Sequence, residues 1–277
     1  MKKNIFILLL TFLSTLLFSQ NYRAVYELKY KPSKEKDSVL ADNYALDIFP
    51  ELKKTNFYNY NYYKNDSIMK ALMQKSEQQG GVNINFDDLP KAKFPLVYTK
   101  TDNSGFSFKT IDGDSYKFPD FQKINWQILK ENKKIAQWNC QKAEADFAGR
   151  KWTAWFTTDL VFPEGPYKFS GLPGLITEIS DSENSYHFLL EAIYKIQDEE
   201  FFPDIYKKAI PVTKKKYEKA LENYIKDPAV KLRQGILSDE SGNVFHINGG
   251  FSKDFIDNAV KERQEKMRKF NNPIELE

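Results

Sequence analysis

Few side chains in this sequence could act as nucleophile, base or metal ligand, and they are scattered. The chain holds one thiol, Cys140, and two imidazoles, His187 and His246. A nucleophilic cysteine needs a nearby base or cation to lower its pKa, and both histidines lie far from Cys140 in sequence. His187 stands between Tyr186 and Phe188 in an alternating run, on the side expected to face solvent. We therefore read Cys140 as a thiol packed beside Trp138. Burial also protects a lone thiol in an oxidising compartment. Two histidines cannot complete a zinc site, and no His-x-x-x-His or paired-cysteine spacing exists. Asp112-Gly113-Asp114 has too few of the ligands of a calcium loop and reads as a turn. Carboxylates are numerous, but none is singled out for acid–base work. The residues point to no catalytic centre, no metal and no cofactor. Tyr58, Tyr60, Tyr62 and Tyr63 could stack on a sugar or peptide, with edge-strand packing as the expected use.

The stretch GPYKFSGLPGLITEISD, residues 165–181, is the most unusual local pattern. Gly165-Pro166 makes one turn. Leu172-Pro173-Gly174-Leu175 suits a type II turn, with Pro173 fixing φ at about −65° and Gly174 supplying the positive φ of the third position. Gly171 is expected to permit close backbone approach. Tyr167, Lys168 and Phe169 are then held between two stiff corners. A phosphate loop would end in Gly-Lys-Ser/Thr and open a helix, and Ser170 is not in the Gly-x-Ser-x-Gly frame of a nucleophile elbow. The expected role is a rigid connector that buries or presents Leu172, Leu175 and Ile176, with a binding loop as the second reading. Arg150 and Lys168 flank the motif as surface charges or as contacts to an acidic partner.

These residues have to be positioned by the elements around them. The chain opens MKKNIFILLLTFLSTLLFSQ: two lysines, an apolar run over residues 5–18, then Ser-Gln. This predicts a secretory signal peptide over residues 1–19 and an exported chain, in the periplasm, at the outer-membrane periphery or outside the cell. The remaining residues 20–277 suffice for one large domain. Net charge is +3 with no basic stripe, which argues against nucleic acid. A single cysteine excludes an internal disulfide. An aromatic share of 15% suits half-buried sheets.

Alternation marks the strands. Tyr22, Ala24, Tyr26, Leu28 and Tyr30 share one face, with Arg23, Glu27 and Lys29 on the other; Tyr44, Leu46 and Ile48 repeat the pattern. A short helix is expected over residues 66–79. Asn103-Ser104-Gly105 joins one hairpin, Asp112-Gly113 the next, and polar residues 130–134 form the expected tip of a third. Gly149 caps the clearest hairpin, whose return strand places Trp152, Ala154 and Phe156 on one face and Trp155 on the other. LITEIS and SYHFLLEAIY form a last pair. Thr213 and Ser252 cap two late helices. Strands first and helices last predict an α+β fold: a curved antiparallel β-sheet, half-barrel-like, with helices packed on its concave side and C-terminal helices.

The motif Gly171-Leu172-Pro173-Gly174-Leu175-Ile176 resembles the block that names the GLPGLI family of Bacteroidetes exported proteins. Around it Trp138-x-Cys140-x-Lys142, Gly149-Arg150, Trp152-x-Ala154-Trp155-Phe156, Gly165-Pro166-Tyr167-Lys168-Phe169 and the ending Asn272-Pro273-Ile274-Glu275-Leu276 follow in the same order. The resemblance implies an exported protein without an assigned catalytic role. The expected function is a non-enzymatic binding or accessory protein, its partner an apolar, lipid or peptide ligand or an outer-membrane protein, with peripheral membrane contact. An assembly factor for an outer-membrane transporter is the alternative, and a hydrolase a third reading.

Overall fold

The computed structural model describes residues 20–79, 81, 89–197, 200–238 and 244–276; the apolar leader over residues 1–19 lies outside them. Eleven long or medium strands come first: β1 (Asn21–Tyr30), β2 (Leu40–Phe49), β3 (Lys54–Asn59), β4 (Val97–Thr101), β5 (Ser104–Ile111), β6 (Asp114–Pro119), β7 (Gln127–Ile135), β8 (Trp138–Phe147), β9 (Arg150–Thr157), β10 (Leu175–Asp181) and β11 (Tyr186–Ile196). Helix α1 (Tyr60–Gln79) interrupts them after β3. There follow α2 (Asp204–Lys207), β12 (Ile210–Pro211), α3 (Lys214–Lys226), α4 (Val230–Arg233), the hairpin β13 (Ile236–Ser238) and β14 (Val244–His246), and α5 (Lys253–Lys269). The fold is α+β, as the order of patterns predicts. No described helix is long and apolar enough to cross a membrane.

Strands β1 to β12 form one sheet in the order β12-β6-β5-β4-β3-β2-β1-β11-β10-β9-β8-β7, open at both edges rather than closed into a barrel. Apart from the short parallel β12–β6 pair, neighbours run antiparallel. The sheet curls strongly. On a flat sheet seven spacings of about 4.8 Å would set β4 and β8 roughly 34 Å apart. Yet Tyr167 touches Tyr98 of β4 at 6.1 Å between ring centroids, and Phe169, two residues on, touches Phe147 of β8 at 5.7 Å. The main core lines this concave face and includes Tyr26, Leu28, Tyr44, Phe57, Trp152 and Phe188.

Four expectations change here. The concave face is filled mainly by the loop over residues 158–174 and by residues 271–276, and α3 covers only its β5–β6 end. Residues 130–134 lie within β7; Ala136 (φ 50°) and Gln137 make the tip. Tyr60, Tyr62 and Tyr63 belong to α1, which starts early because the Asn59 side chain accepts the Asn61 N–H at 3.0 Å. Arg23 is buried rather than solvent-facing. Its Nε and Nη2 donate to the Asp47 carboxylate at 2.6 and 2.8 Å, Tyr58 donates to the same carboxylate, and the Tyr63 ring covers the guanidinium at 3.9 Å. Alternation cannot show such a pair, because both faces of these central strands are covered. On the outer face Ala45, Tyr58, Val97 and Phe108 pack under Phe201, Phe202 and Tyr206.

Candidate functional site

The loop between β9 and β10 is pinned along its length. Gly171 N donates to Pro163 O at 2.9 Å, Leu175 N to Leu160 O at 3.0 Å and Ile176 N to Glu164 O at 3.0 Å. Trp126 Nε1 donates to Ser170 O at 2.9 Å. The turn chemistry differs from the expected type II turn. Gly171 carries the positive φ, 98°, with open space where a Cβ would project. Gly174 is outside the left-handed region, and a Cβ there would sit 2.0 Å from Thr157 O. The two glycines thus exchange roles: Gly171 supplies the conformation and Gly174 the close approach. Pro166 O accepts from Phe169 N across Tyr167 at φ 56°, which aims Tyr167 and Phe169 inward beside Leu172, Leu175 and Ile176, all buried. Phe169 packs on Trp152 at 4.5 Å. Gly165 is enclosed by Ile176 and Phe169 O, Gly149 turns the β8–β9 hairpin at φ 75°, and Trp155 lies on the outer face under the Lys133 ammonium at 4.4 Å.

Arg150 and Lys168 are interior groups rather than surface charges. Arg150 is 5% exposed. Its Nη1 pairs with Asp181 Oδ2 at 2.7 Å, and Asp181 Oδ1 accepts from Ser185 N and Tyr186 N. Its remaining donors read residues 271–276, a strap lying past α5. Nη2 donates to Asn272 Oδ1 at 2.7 Å and Pro273 O at 2.8 Å, and Nε donates to Ile274 O at 3.1 Å. Tyr186 donates to Asn272 O, Asn272 Nδ2 donates to Lys31 O at 2.9 Å, and Leu276 N donates to Ala148 O at 3.0 Å. Lys168 pairs with both Asp120 and Glu275. The motif loop and the Gly149-Arg150 corner therefore form the seat of the strap.

Loop, strap, β5, β6 and α3 enclose a cleft of about 260 Å³. Phe94, Phe118, Tyr217, Phe270 and Ile274 wall it, with Phe118 stacked on Tyr217 at 5.0 Å. Asp120 and Glu275 are engaged at its floor: Ser107 donates to Asp120 at 2.5 Å, Tyr167 donates to Glu275 at 2.8 Å, and Lys168 bridges the two. Lys109 is also in the wall. Among the described residues its ammonium makes no ion pair or hydrogen bond, and burial lowers its pKa, opposed by Glu275 and Asp120 and assisted by Lys168 and Lys214. A larger depression of about 550 Å³ over residues 103–106 and 119–122 is an open surface feature.

Sequence reasoning missed Lys109, Asp120 and Lys214. In Phe106-Ser107-Phe108-Lys109 the alternation marks the phenylalanines as inward. The structure turns Phe108 to the outer core and Ser107 and Lys109 to the concave side.

The remaining candidates are occupied structurally. Cys140 is 1% exposed, its Sγ lies 3.2 Å from Thr177 Oγ1, and burial raises its pKa; among the described residues its hydrogen-bond partners are Trp138 O and Thr177 Oγ1, neither of them an imidazole. Asp112 pairs with Arg263 and Asp114 with Lys231 across the β5–β6 turn. Among the described residues no cluster of His, Cys, Asp or Glu could hold a metal. His187 meets Glu178 at 2.9 Å on the outer face, and His187 and Lys133 hold the Glu178 carboxyl down at about 2, against desolvation. A carboxyl depressed in the folded state stabilises above its unfolded pKa and loses that contribution as pH falls through the folded one. Urea titrations should thus show wild-type stability falling between pH 4.5 and about 2, and Glu178→Gln should flatten that fall. Parallel pH profiles would refute the assignment.

The matched region coincides with the strap's seat. Residues 148–178 match the family model described as a protein of unknown function (Porph_ging). They run from the Ala148-Gly149-Arg150 corner through the motif loop into β10. No curated protein matches the chain. Among solved structures, PNGF-II in a C2 crystal form is similar at 15% identity and TM-score 0.48, covering 73% of this chain and 33% of its own, so this chain spans about a third of PNGF-II. An uncharacterized conserved protein from Thermus thermophilus is similar at 7% identity and TM-score 0.38, covering 71% and 92%. A domain assigned to outer membrane lipoprotein sorting in Vibrio parahaemolyticus is similar at 8% identity and TM-score 0.30, covering 66% and 88%.

Proposed function

We propose that this is an exported binding protein that holds one end of an apolar ligand in the cleft between β5, β6, the motif loop and α3. The cleft itself carries the reading: an aromatic-walled recess on a concave sheet whose remaining floor is filled by the chain's own residues. Its volume of about 260 Å³ is just below the roughly 300–1,000 Å³ of pockets that enclose whole small ligands. It therefore suits the end of a chain, with the rest leaving past Phe270, which is 38% exposed at the rim. Export rests on the leader over residues 1–19, and an accessory role at the outer-membrane periphery follows from export together with an apolar ligand. Isothermal titration with octan-1-ol tests the reading. Saturable binding is expected, weakened about tenfold by Phe270→Asp, since burying apolar surface against that ring contributes roughly 1–2 kcal/mol. Absence of saturable binding to the wild type would overturn it.

A further inference from the structure

Helices α3 and α5 lie side by side in opposite directions. Arg263 of α5 covers the Tyr224 ring near the end of α3 at 6.0 Å, and Phe270, just past α5, shares the cleft mouth with Lys214 and Tyr217 at the start of α3. The first turn of α3 and the last turn of α5 therefore meet at the mouth, and both are basic. α3 carries five lysines against two glutamates and α5 six cations against four carboxylates, in a chain of net charge +3. Lys214, Lys215, Lys216, Lys266 and Arg268 are exposed, and among the described residues none makes an ion pair. Lys219 pairs with Glu222 and Lys269 with Glu265, which leaves Glu218 as the counter-charge beside these turns. The loop over residues 31–39 joins the same rim, because Lys34 N donates to Asn271 Oδ1 at 3.1 Å. It adds exposed Lys34 and Lys36 against Glu35, while Asp37 pairs with Lys31. Three consecutive lysines also open α3 with no acid in its first turn, where the helix dipole disfavours cations. No contact among the described residues repays that arrangement, and a local rule broken without compensation is expected where a partner binds.

We infer that the face around the cleft mouth docks on a lipid surface carrying anionic headgroups, with the first turn of α3 and the last turn of α5 laid against it. This goes beyond the ligand of the cleft and is measured separately from it. Exposed lysines on flexible stems act as point charges and suit a diffuse field of headgroups, whereas fixed carboxylates of a protein partner are better met by the planar fork of arginine. Phe270 and Val39 are exposed singly among these cations. A bilayer interface accepts such isolated apolar side chains between headgroups while lysine stems lie along them. Docked this way, the cleft opens toward the bilayer.

The test is co-sedimentation of the exported protein with vesicles of phosphatidylcholine alone and of equal parts phosphatidylcholine and phosphatidylglycerol. Binding is expected on the anionic vesicles and should be lost at about 1 M salt, where charges are screened within about 3 Å. The phosphatidylcholine arm reads any attachment that needs no charge. The triple variant Lys215→Gln, Lys216→Gln, Lys266→Gln should bind the anionic vesicles about a hundredfold more weakly, the effect of removing three lysines from such a surface. It should melt no lower than wild type, since two of the three changes relieve the start of α3. A matched variant, Lys130→Gln, Lys134→Gln, Lys195→Gln, removes three exposed lysines of β7 and β11 and should bind as wild type does. Octan-1-ol binding by the first variant should be unchanged, because none of its three positions lines the cleft, so a failure of docking and a failure of the cleft reading are told apart. Equal binding to both kinds of vesicle, or equal loss in the two triple variants, would overturn the proposal. Binding to poly-glutamate without binding to anionic vesicles would replace the lipid surface with an acidic polypeptide.

Discussion

Arg150→Ala is expected to cost the protein about 3–5 kcal/mol, the usual range when one partner of a buried ion pair is removed. The loss belongs at the upper end of that range because one guanidinium serves five acceptors, Asp181, Glu183, Asn272 and the carbonyls of Pro273 and Ile274. With Arg150 gone, Asp181 keeps its two backbone N–H donors, but Asn272 Oδ1 and the carbonyls of Pro273 and Ile274 lose theirs. Typical domains are stable by only about 5–15 kcal/mol, so the melting temperature should fall by roughly 10 °C, at about 2–4 °C per kcal/mol for a chain of this size. Arg150→Lys should recover little, because a single ammonium cannot span a carboxylate and three oxygens of the strap. Asn272→Ala should be strongly sub-additive with Arg150→Ala in a double-mutant cycle, since both break the same contact. A melting temperature within about 2 °C of wild type for Arg150→Ala would show that the strap does not depend on this residue.

The second large effect lies in the motif. Gly174→Ala forces a methyl group to 2.0 Å from the Thr157 carbonyl oxygen. Backbone cannot step aside as a side chain can, so the cost is expected at or above the roughly 3 kcal/mol upper end of overpacking. Gly171→Ala meets no atom within 4 Å and suffers only from its φ of 98°, an effect of about 1–2 kcal/mol. A type II turn centred on Pro173-Gly174 predicts the reverse ranking, because there the conformational demand falls on Gly174. Denaturant titrations of the two variants separate the accounts directly. If Gly171→Ala proves the more damaging, the geometry described for this loop is wrong.

The sheet was legible in the sequence because its strands alternate. The face carrying Tyr22, Ala24, Tyr26, Leu28 and Tyr30 is the concave face of β1, and Thr213 and Ser252 cap α3 and α5 by accepting from Lys216 N and Phe255 N. What was not legible depends on distant pairing. Residues 130–134 look like a polar tip because β7 is an edge strand exposed over most of its length, and lysines there deter further strand pairing. Arg150 and Lys168 look like surface charges because their partners, Asp181, Asp120 and the strap, are 31 to 124 positions away. Pro173-Gly174 satisfies the local rule for a type II turn, yet the neighbouring β9 end, not local preference, decides which glycine must lack a side chain. Lys109 was hidden for a related reason: alternation assigns a face only when one face is buried, and around β5 both are.

The strap also sets a timetable. Lys31 and Asn272 are joined by a hydrogen bond across 241 positions, and Lys34 to Asn271 across 237. Contacts so remote along the chain form slowly, because the intervening loop must close before they repay its entropy. Arg150 waits for three of its acceptors until residues 272–274 have been synthesised and have found their seat. Maturation therefore finishes with a late locking step, and a chain stopped short of that step keeps the motif loop's floor open and a guanidinium only half satisfied.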